Sequence, residues 1–315
     1  MSDAPVDIWV DSVSVQPFSF DEWDAHARHS ADKARRSSIR VAAKGPDGKP
    51  LANASIGINL LRTGFLFGNT MIKEILNLPA YEKWFTSRLS VATFENEMKC
   101  VVNENLHFNF FQSKLGSGAS AQIYNQVWQI DKTVVLFMNE FNLLEQPYDP
   151  NAVPSKYVAK MNQIRVYASN GGLKMGVGLE SHFTTPNIPY MRSTLDTLAK
   201  LKLPMWLTEV DIVKGPNQVK YLEQVLREGY EHPTVGGMIM WAAWHANGCY
   251  VMCLTDNNFK NLPVGSLVII DKLIAEWKTH NTVATTDKNG LSGHPRPPAR
   301  RVQLHHDTLV TQGHC

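Results

Sequence analysis

The chain has 315 residues, 43% hydrophobic and 19% charged, which is the composition of a folded globular protein and excludes disorder, a collagen-like repeat or a heptad coil as a global description. Lys plus Arg (31) nearly balance Asp plus Glu (29), so no phosphate backbone would be held by charge, and nucleic acid is not expected as a partner. The longest strongly apolar stretch, Met238 to Trp244, falls far short of the roughly twenty residues a membrane helix needs, and no membrane partner is expected.

The N-terminus, MSDAPVDIWVDS, has no basic start followed by an apolar core, so no secretory signal is readable and localisation stays open. Asp7 to Phe18 alternates around Ile8, Val10, Val13 and Val15 and reads as one β-strand, a segment of its own over residues 1–20. Asp21 opens a polar helix to about Arg36, and Ile39 to Ala43 is extended before a turn at Pro46-Asp47-Gly48; residues 21–50 read as a linker.

From Phe65 onward, short apolar runs alternate with helical stretches, the pattern of repeated βα units on a parallel sheet. Seven strands are expected: Phe65 to Gly68, Val91 to Phe94, Val101 to Val102, Val134 to Met138, Met175 to Leu179, Met205 to Leu207 and Gly237 to Trp241. Crossover helices are expected at Pro79 to Arg88, Ser155 to Asn170, Pro189 to Leu201 and Asn217 to Glu231, with a last helix at Val268 to Lys278. The α/β class follows, as an incomplete TIM-type (β/α)8 barrel over residues 51–282. Residues 283–315 are rich in Pro, Arg and His without apolar periodicity and read as a disordered tail.

Polar residues cluster where these strands end: Glu95-Asn96-Glu97, Asn103-Glu104, Asn139-Glu140, Glu180-Ser181-His182 and Thr208-Glu209. In a (β/α)8 barrel those ends face one cleft, and a ring of carboxylates there suits glycoside hydrolysis, which asks for two carboxyl groups. Glu104 and Glu209 form the best pair; His182 could hold Glu209 ionised and Asp211 could fix the imidazole, while a histidine satisfied inside the core reads equally well. Trp241 and Trp244 could stack on sugar faces or fill the core. A single strand-end glutamate is more often a solvated residue or a helix cap, but five such ends together weigh against that. Four scattered cysteines imply buried free thiols, and Gly116 to Ala121 formally fits GxGxxA without the preceding strand that phosphate binding requires.

Phe94-Glu95-Asn96-Glu97-Met98-Lys99, Val101-Val102-Asn103-Glu104, Gly178-Leu179-Glu180-Ser181-His182-Phe183 and Leu207-Thr208-Glu209-Val210-Asp211 together resemble family 10 glycoside hydrolases, the endo-1,4-β-xylanases, with the plant branch nearest. Asn105-Leu106-His107-Phe108, Leu136 to Glu140, Pro189 to Arg192 and Gly248 to Asp256 extend the likeness over about residues 51–280. The resemblance implies a retaining endo-hydrolase of xylan, acting as a monomer without metal or cofactor, of a family usually found outside the cell. Carried over by position, Glu104 is the acid/base, Glu209 the nucleophile and Asn103 the group holding the sugar 2-hydroxyl; His182 and Asp211 orient the nucleophile. Glu95, Asn96, Lys99, Glu180 and Trp241 contact substrate, with Glu180 standing where many members have Gln. By the same resemblance, the strand in residues 1–20 is the remnant of an upstream carbohydrate-binding module.

One departure stands out. FENEMK and VVNEN belong to two different strands of the family, and here only Cys100 separates Lys99 from Val101, too little for a parallel crossover. The expectation is an internal deletion with impaired activity, the two motifs running on as one strand. A non-catalytic xylan-binding protein or an unstable splice product is the alternative.

Overall fold

Parallel strands covered on both faces must be apolar along their whole length, and that requirement picks out the centre of this molecule. The computed structural model describes residue 17 and residues 19–62, 64–95, 102–167, 170–264, 270–277, 282–298 and 301–306. Helix α1 (Phe20–Arg35) and strands β1 (Arg36–Ala42) and β2 (Ser55–Arg62) come first. The βα units follow: β3 (Leu66–Met71), α2 (Pro79–Thr86), β4 (Val91–Phe94), α3 (Phe110–Leu115), α4 (Ala119–Ile130), β5 (Leu136–Glu140), α5 (Pro154–Val166), β6 (Met175–Phe183), α6 (Ile188–Ala199), β7 (Met205–Ile212), α7 (Gln218–Glu231), β8 (Val235–Met240) and α8 (Ile270–Trp277). Three more strands close the described chain: β9 (Thr282–Thr285), β10 (Leu291–Pro298) and β11 (Arg301–His306).

The main sheet has the order β4-β3-β8-β7-β6-β5 with every neighbouring pair parallel. Eight of the nine residues of β6 are buried, and Met138, Val177, Leu179, Met205, Leu207, Met238 and Met240 are fully inaccessible. The helices start where the sequence provides for it: Pro79 and Pro154 sit in the first turns of α2 and α5, and the Asn187 side chain accepts from Tyr190 N at 3.2 Å ahead of α6. The consecutive strands β4 and β5 form the two edges of this sheet, and no pairing joins them among the described residues, so the curled sheet is an incomplete (β/α)8 barrel with its opening between β4 and β5.

Six of the seven expected strands are present within a few residues of their expected bounds. The exception is Val101 to Val102: Val101 lies outside the described residues and Val102 stands in a turn. The two neighbouring motifs do not run on as one strand, because β4 ends at Phe94 and Glu95 is already in a turn. The strand expected over Asp7 to Phe18, and with it the upstream-module remnant, lies outside the described residues.

Three expectations are corrected. The segment read as a linker is docked instead. Helix α1 opens with a capping box between Ser19 and Glu22, and its Arg35 donates to the carbonyls of Tyr230, His232 and Val235 at 2.6, 2.6 and 2.7 Å. The first two belong to the end of α7, where a cation is favoured, and the third to the first residue of β8. Asp24 meets the buried Arg227 at 3.3 Å, within a cluster that also holds Glu223 and Glu276. A polar helix thus docks through charge, which apolar periodicity does not report. The tail is ordered over its described part: β9 and β11 flank β2, and β10 pairs with β1, all antiparallel. Proline fits β10 because the strand pairs on one side only. Finally, Cys249 and Cys253 are joined as a disulfide with Cα atoms 5.2 Å apart; bends at Tyr250 and Val251 turn the chain between them so that a spacing of four brings them together. Cys100 and Cys315 lie outside the described residues.

Candidate active site

The site is written in the register of β6 against β7. Glu180 lies opposite Glu209 and His182 opposite Asp211. Residues two apart share a strand face, so these four side chains form one patch at the C-terminal end of the sheet. A register shift sets the pairing: Leu179 faces Leu207 but Glu180 faces Glu209, leaving Thr208 as one extra residue on β7. Such a bulge re-aims the side chains beyond it.

Strand β5 adds the connecting group. Asn139 Nδ2 donates to Glu180 Oε1 at 2.7 Å, to Glu209 Oε1 at 3.0 Å and toward Asn103 Oδ1 at 3.2 Å, while its own Oδ1 accepts from Thr208 Oγ1. Room for it comes from Gly178 on β6, where a Cβ would stand 2.8 Å from Asn139 Oδ1. Asn103 Nδ2 in turn donates to Glu104 Oε1 at 2.6 Å. Glu104 and Glu209 are therefore the two ends of one chain of hydrogen bonds through Asn103 and Asn139. Glu104 itself has φ 53° and its N–H donates to Asn139 O at 3.0 Å. A non-glycine residue in the left-handed region costs of order 1–3 kcal/mol and persists only where its surroundings fix it.

His182 directs Nδ1 to Asp211 Oδ1 at 3.1 Å and Nε2 toward Glu180 Oε2 at 3.4 Å and Glu209 Oε2 at 3.7 Å. Burial opposes its charge, but Asp211, Glu180 and Glu209 outweigh burial and raise its pKa far above the ordinary value. Burial, with Glu209 and Glu104 close by, pushes Glu180 up to about 7. Beneath them, Glu145 accepts from His182 N and Leu144 N, each at 2.9 Å, and full burial lifts its carboxyl to about 7.

A second polar group stands beside the Glu104 loop. Glu140, fully buried at the tip of β5, accepts from Leu106 N at 2.6 Å and faces His107 Nδ1 at 2.7 Å. His107 Nε2 faces Asp149 Oδ2 at 2.9 Å, and the imidazole stacks on Phe141 with centroids 3.8 Å apart. Both ring nitrogens meet carboxylates, so the imidazolium alone satisfies both. Burial works against that charge, yet Asp149 and Glu140 raise the His107 pKa overall.

On the other side, a cleft of about 700 Å³ is lined by Glu95, Trp241, Trp244, His245 and Tyr250, with His245 Nε2 at 2.8 Å from Glu95 Oε2. Of the residues singled out in the sequence, Glu104, Asn103, Glu180, His182, Glu209 and Asp211 come together; Glu95 and Trp241 line this cleft; Asn96 and Lys99 lie outside the described residues. Sequence reasoning marked Asn139-Glu140 as a strand end but gave neither a place in the site, and it missed Glu145, Thr208 and His107. The signal available for Asn139 was its position after Leu136-Phe137-Met138, the same apolar run closed by an acid that marked Glu209.

A curled parallel half-barrel with hydrogen-bonded carboxylates at the C-terminal ends of its strands defines a barrel of the glycosidase type. Residues 100–258 match glycosyl hydrolase family 10, and the chain belongs to that family. Endo-1,4-beta-xylanase 5 of Arabidopsis thaliana is 31% identical over 361 residues, covering 89% of this chain and 63% of the relative. Endo-1,4-beta-xylanase 4 of the same plant is 31% identical, covering 87% and 62%. The chain thus spans somewhat under two thirds of these relatives. An alignment of 361 positions exceeds the 315 residues of the chain, so it opens gaps in this chain. Among solved structures, xylanase 10B from Thermotoga petrophila RKU-1, in complex with xylobiose, superposes with a TM-score of 0.54 at 15% identity over 67% of this chain and 95% of that one. Native xylanase 10B from Thermotoga maritima gives 0.53 at 15% identity, over 68% and 97%, and both confirm the barrel fold.

Proposed function

We propose that the chain is a retaining glycosidase that cleaves internal β-1,4 bonds of xylan, with Glu104 as acid/base and Glu209 as nucleophile. The observation that carries this reading is the hydrogen-bonded chain from Glu104 through Asn103 and Asn139 to Glu209, which couples two carboxyls from distant parts of the sequence at one strand mouth. In the first step Glu209 attacks the anomeric carbon while Glu104 gives its proton to the glycosidic oxygen; the carbon–oxygen bond breaks and a glycosyl ester forms. In the second, Glu104 takes a proton from water, whose oxygen displaces Glu209 and restores it.

His182, fixed by Asp211, orients Glu209, and Asn103 holds the sugar 2-hydroxyl. Glu95, Asn96 and Lys99 bind the sugar on the non-leaving side, Trp241 walls the cleft, and Glu180 contacts substrate. The proposed action is that of a monomer, and double displacement asks for carboxyl groups alone, with neither metal nor cofactor. The internal deletion falls between the FENEMK and VVNEN motifs, where only Cys100 separates Lys99 from Val101, and the opening between β4 and β5 supports that reading. Reducing-sugar release from xylan by the purified chain, lost in Glu209→Gln and in Glu104→Gln assayed on xylan, tests the reading; release unchanged in Glu209→Gln would refute it.

A further inference from the structure

We infer that His107 is a positioning residue for the acid/base step: clamped between Glu140 and Asp149, it holds the Glu104 turn on the end of β5. The inference rests on the role proposed for Glu104. In a barrel, a strand-end glutamate is normally aimed by its own strand, hydrogen-bonded to a neighbour on each side. Here Val102 is in a turn, no described strand leads into Glu104, and its backbone is left-handed. What fixes the turn is a set of bonds to β5 and the loop after it. Glu104 N donates to Asn139 O at 3.0 Å and Leu106 N to Glu140 Oε2 at 2.6 Å; His107 then bridges Glu140 Oε1 at 2.7 Å and Asp149 Oδ2 at 2.9 Å.

The far end of the bridge is itself fixed. Asp149 accepts from Asn142 Nδ2 at 2.6 Å and Asn151 N at 2.8 Å, and its pKa falls to about 2, because hydrogen bonds from Asn142 and His107 overcome partial burial. His107 N and Phe108 N both donate to Glu104 O, at 3.1 and 2.9 Å, so a displacement of the imidazole passes directly to the Glu104 backbone. Glu140 is fully buried, and without the imidazole its charge loses a partner that water cannot readily replace.

A positioning role for the acid predicts a dependence on the leaving group, because a good leaving group departs without a proton. The test compares wild type, His107→Ala and the milder His107→Gln, as full chains, on a phenyl and a 2,4-dinitrophenyl β-xylobioside. The expected result is a fall in kcat/KM of about tenfold or more on the phenyl substrate with less than about threefold on the dinitrophenyl one, within the range a general acid supplies. Equal losses on both substrates, or none on either, would overturn the inference. Glu209→Gln run alongside separates the two ideas, since an active Glu209→Gln would refute the glycosidase reading itself. Amide hydrogen exchange needs no turnover: Leu106 and Phe108 should lose protection in both His107 variants while β6 and β7 keep theirs, and unchanged protection at Leu106 and Phe108 would also overturn it.

Discussion

The two carboxylates of the proposed site are held in different ways. Glu209 sits within a block of parallel strands, β5 to β8, whose pairing is continuous and whose side chains are buried on both faces. Glu104 sits on a turn next to the place where the sheet is open, and it borrows its position from the tip of β5. The half that carries the proposed nucleophile is built like a whole barrel, and the half that carries the proposed acid/base is built like a docked loop. Chemistry that needs both halves is only as good as the weaker one.

The largest effect should fall on the strong half. Glu209→Gln removes the proposed nucleophile and should lower xylan turnover at least about a thousandfold, whereas Asp211→Asn, which only loosens His182, should cost far less. Equal and mild losses in initial-rate assays would mean that the activity arises elsewhere. The weak half sets the next effect: the chain itself should turn over xylan at least about a hundredfold more slowly than a relative with a closed barrel, equivalent to about 3 kcal/mol of barrier. Family-like turnover with a sharp thermal transition would show that the opening costs nothing. Asn139→Ala probes a side chain that touches both halves, and about a tenfold or greater loss in kcat is expected, against the small effect of Thr208→Ala beside it.

How much of this was legible follows the same division. Strands β5 to β8 were readable because each is an apolar run closed by polar residues, and Glu180, His182, Glu209 and Asp211 were found with them. Their mutual pairing was not readable, because it depends on an extra residue at Thr208 that alternation does not reveal. Asn139 escaped because a neutral amide carries no titrating chemistry of its own, although its side chain bonds Asn103, Glu180, Thr208 and Glu209. His107 lay in view inside a quoted motif, yet its partners Glu140 and Asp149 are 33 and 42 residues away. The docking of helix α1, though not the helix itself, and the proline-bearing strand β10 hid for a related reason: neither buries a periodic apolar face.

Smaller effects sharpen the comparison through pH. Glu180 and Glu209 share Asn139 Nδ2 and face the same His182 Nε2, with Glu104 nearby. Below about 7 Glu180 is neutral; above it a second negative charge competes for those donors. The kcat/KM profile of the wild type should therefore fall as pH rises through about 7, and Glu180→Gln should stay level to pH 8, a severalfold advantage there. A shared fall would place the titration on another group. The smallest effect concerns stability. The folded pKa of Glu145 is raised, so its contribution is complete below the unfolded value of 4.5 and is lost as pH rises through about 7. Glu145→Gln should shrink the difference in Tm between pH 5 and pH 8 by a few degrees, and an unchanged difference would mean that Glu145 is not the group responsible.

Trapping the covalent intermediate addresses the central claim without requiring fast turnover. An activated 2-deoxy-2-fluoroxylobioside destabilises both transition states through its fluorine, while its good leaving group favours the first step, so the ester accumulates even on a slow chain. The account predicts one fluoroxylobiosyl group added to the intact protein, located by peptide mass spectrometry on Glu209 and absent from Glu209→Gln. An adduct on any other carboxylate, or none after prolonged incubation with the folded chain, would contradict it.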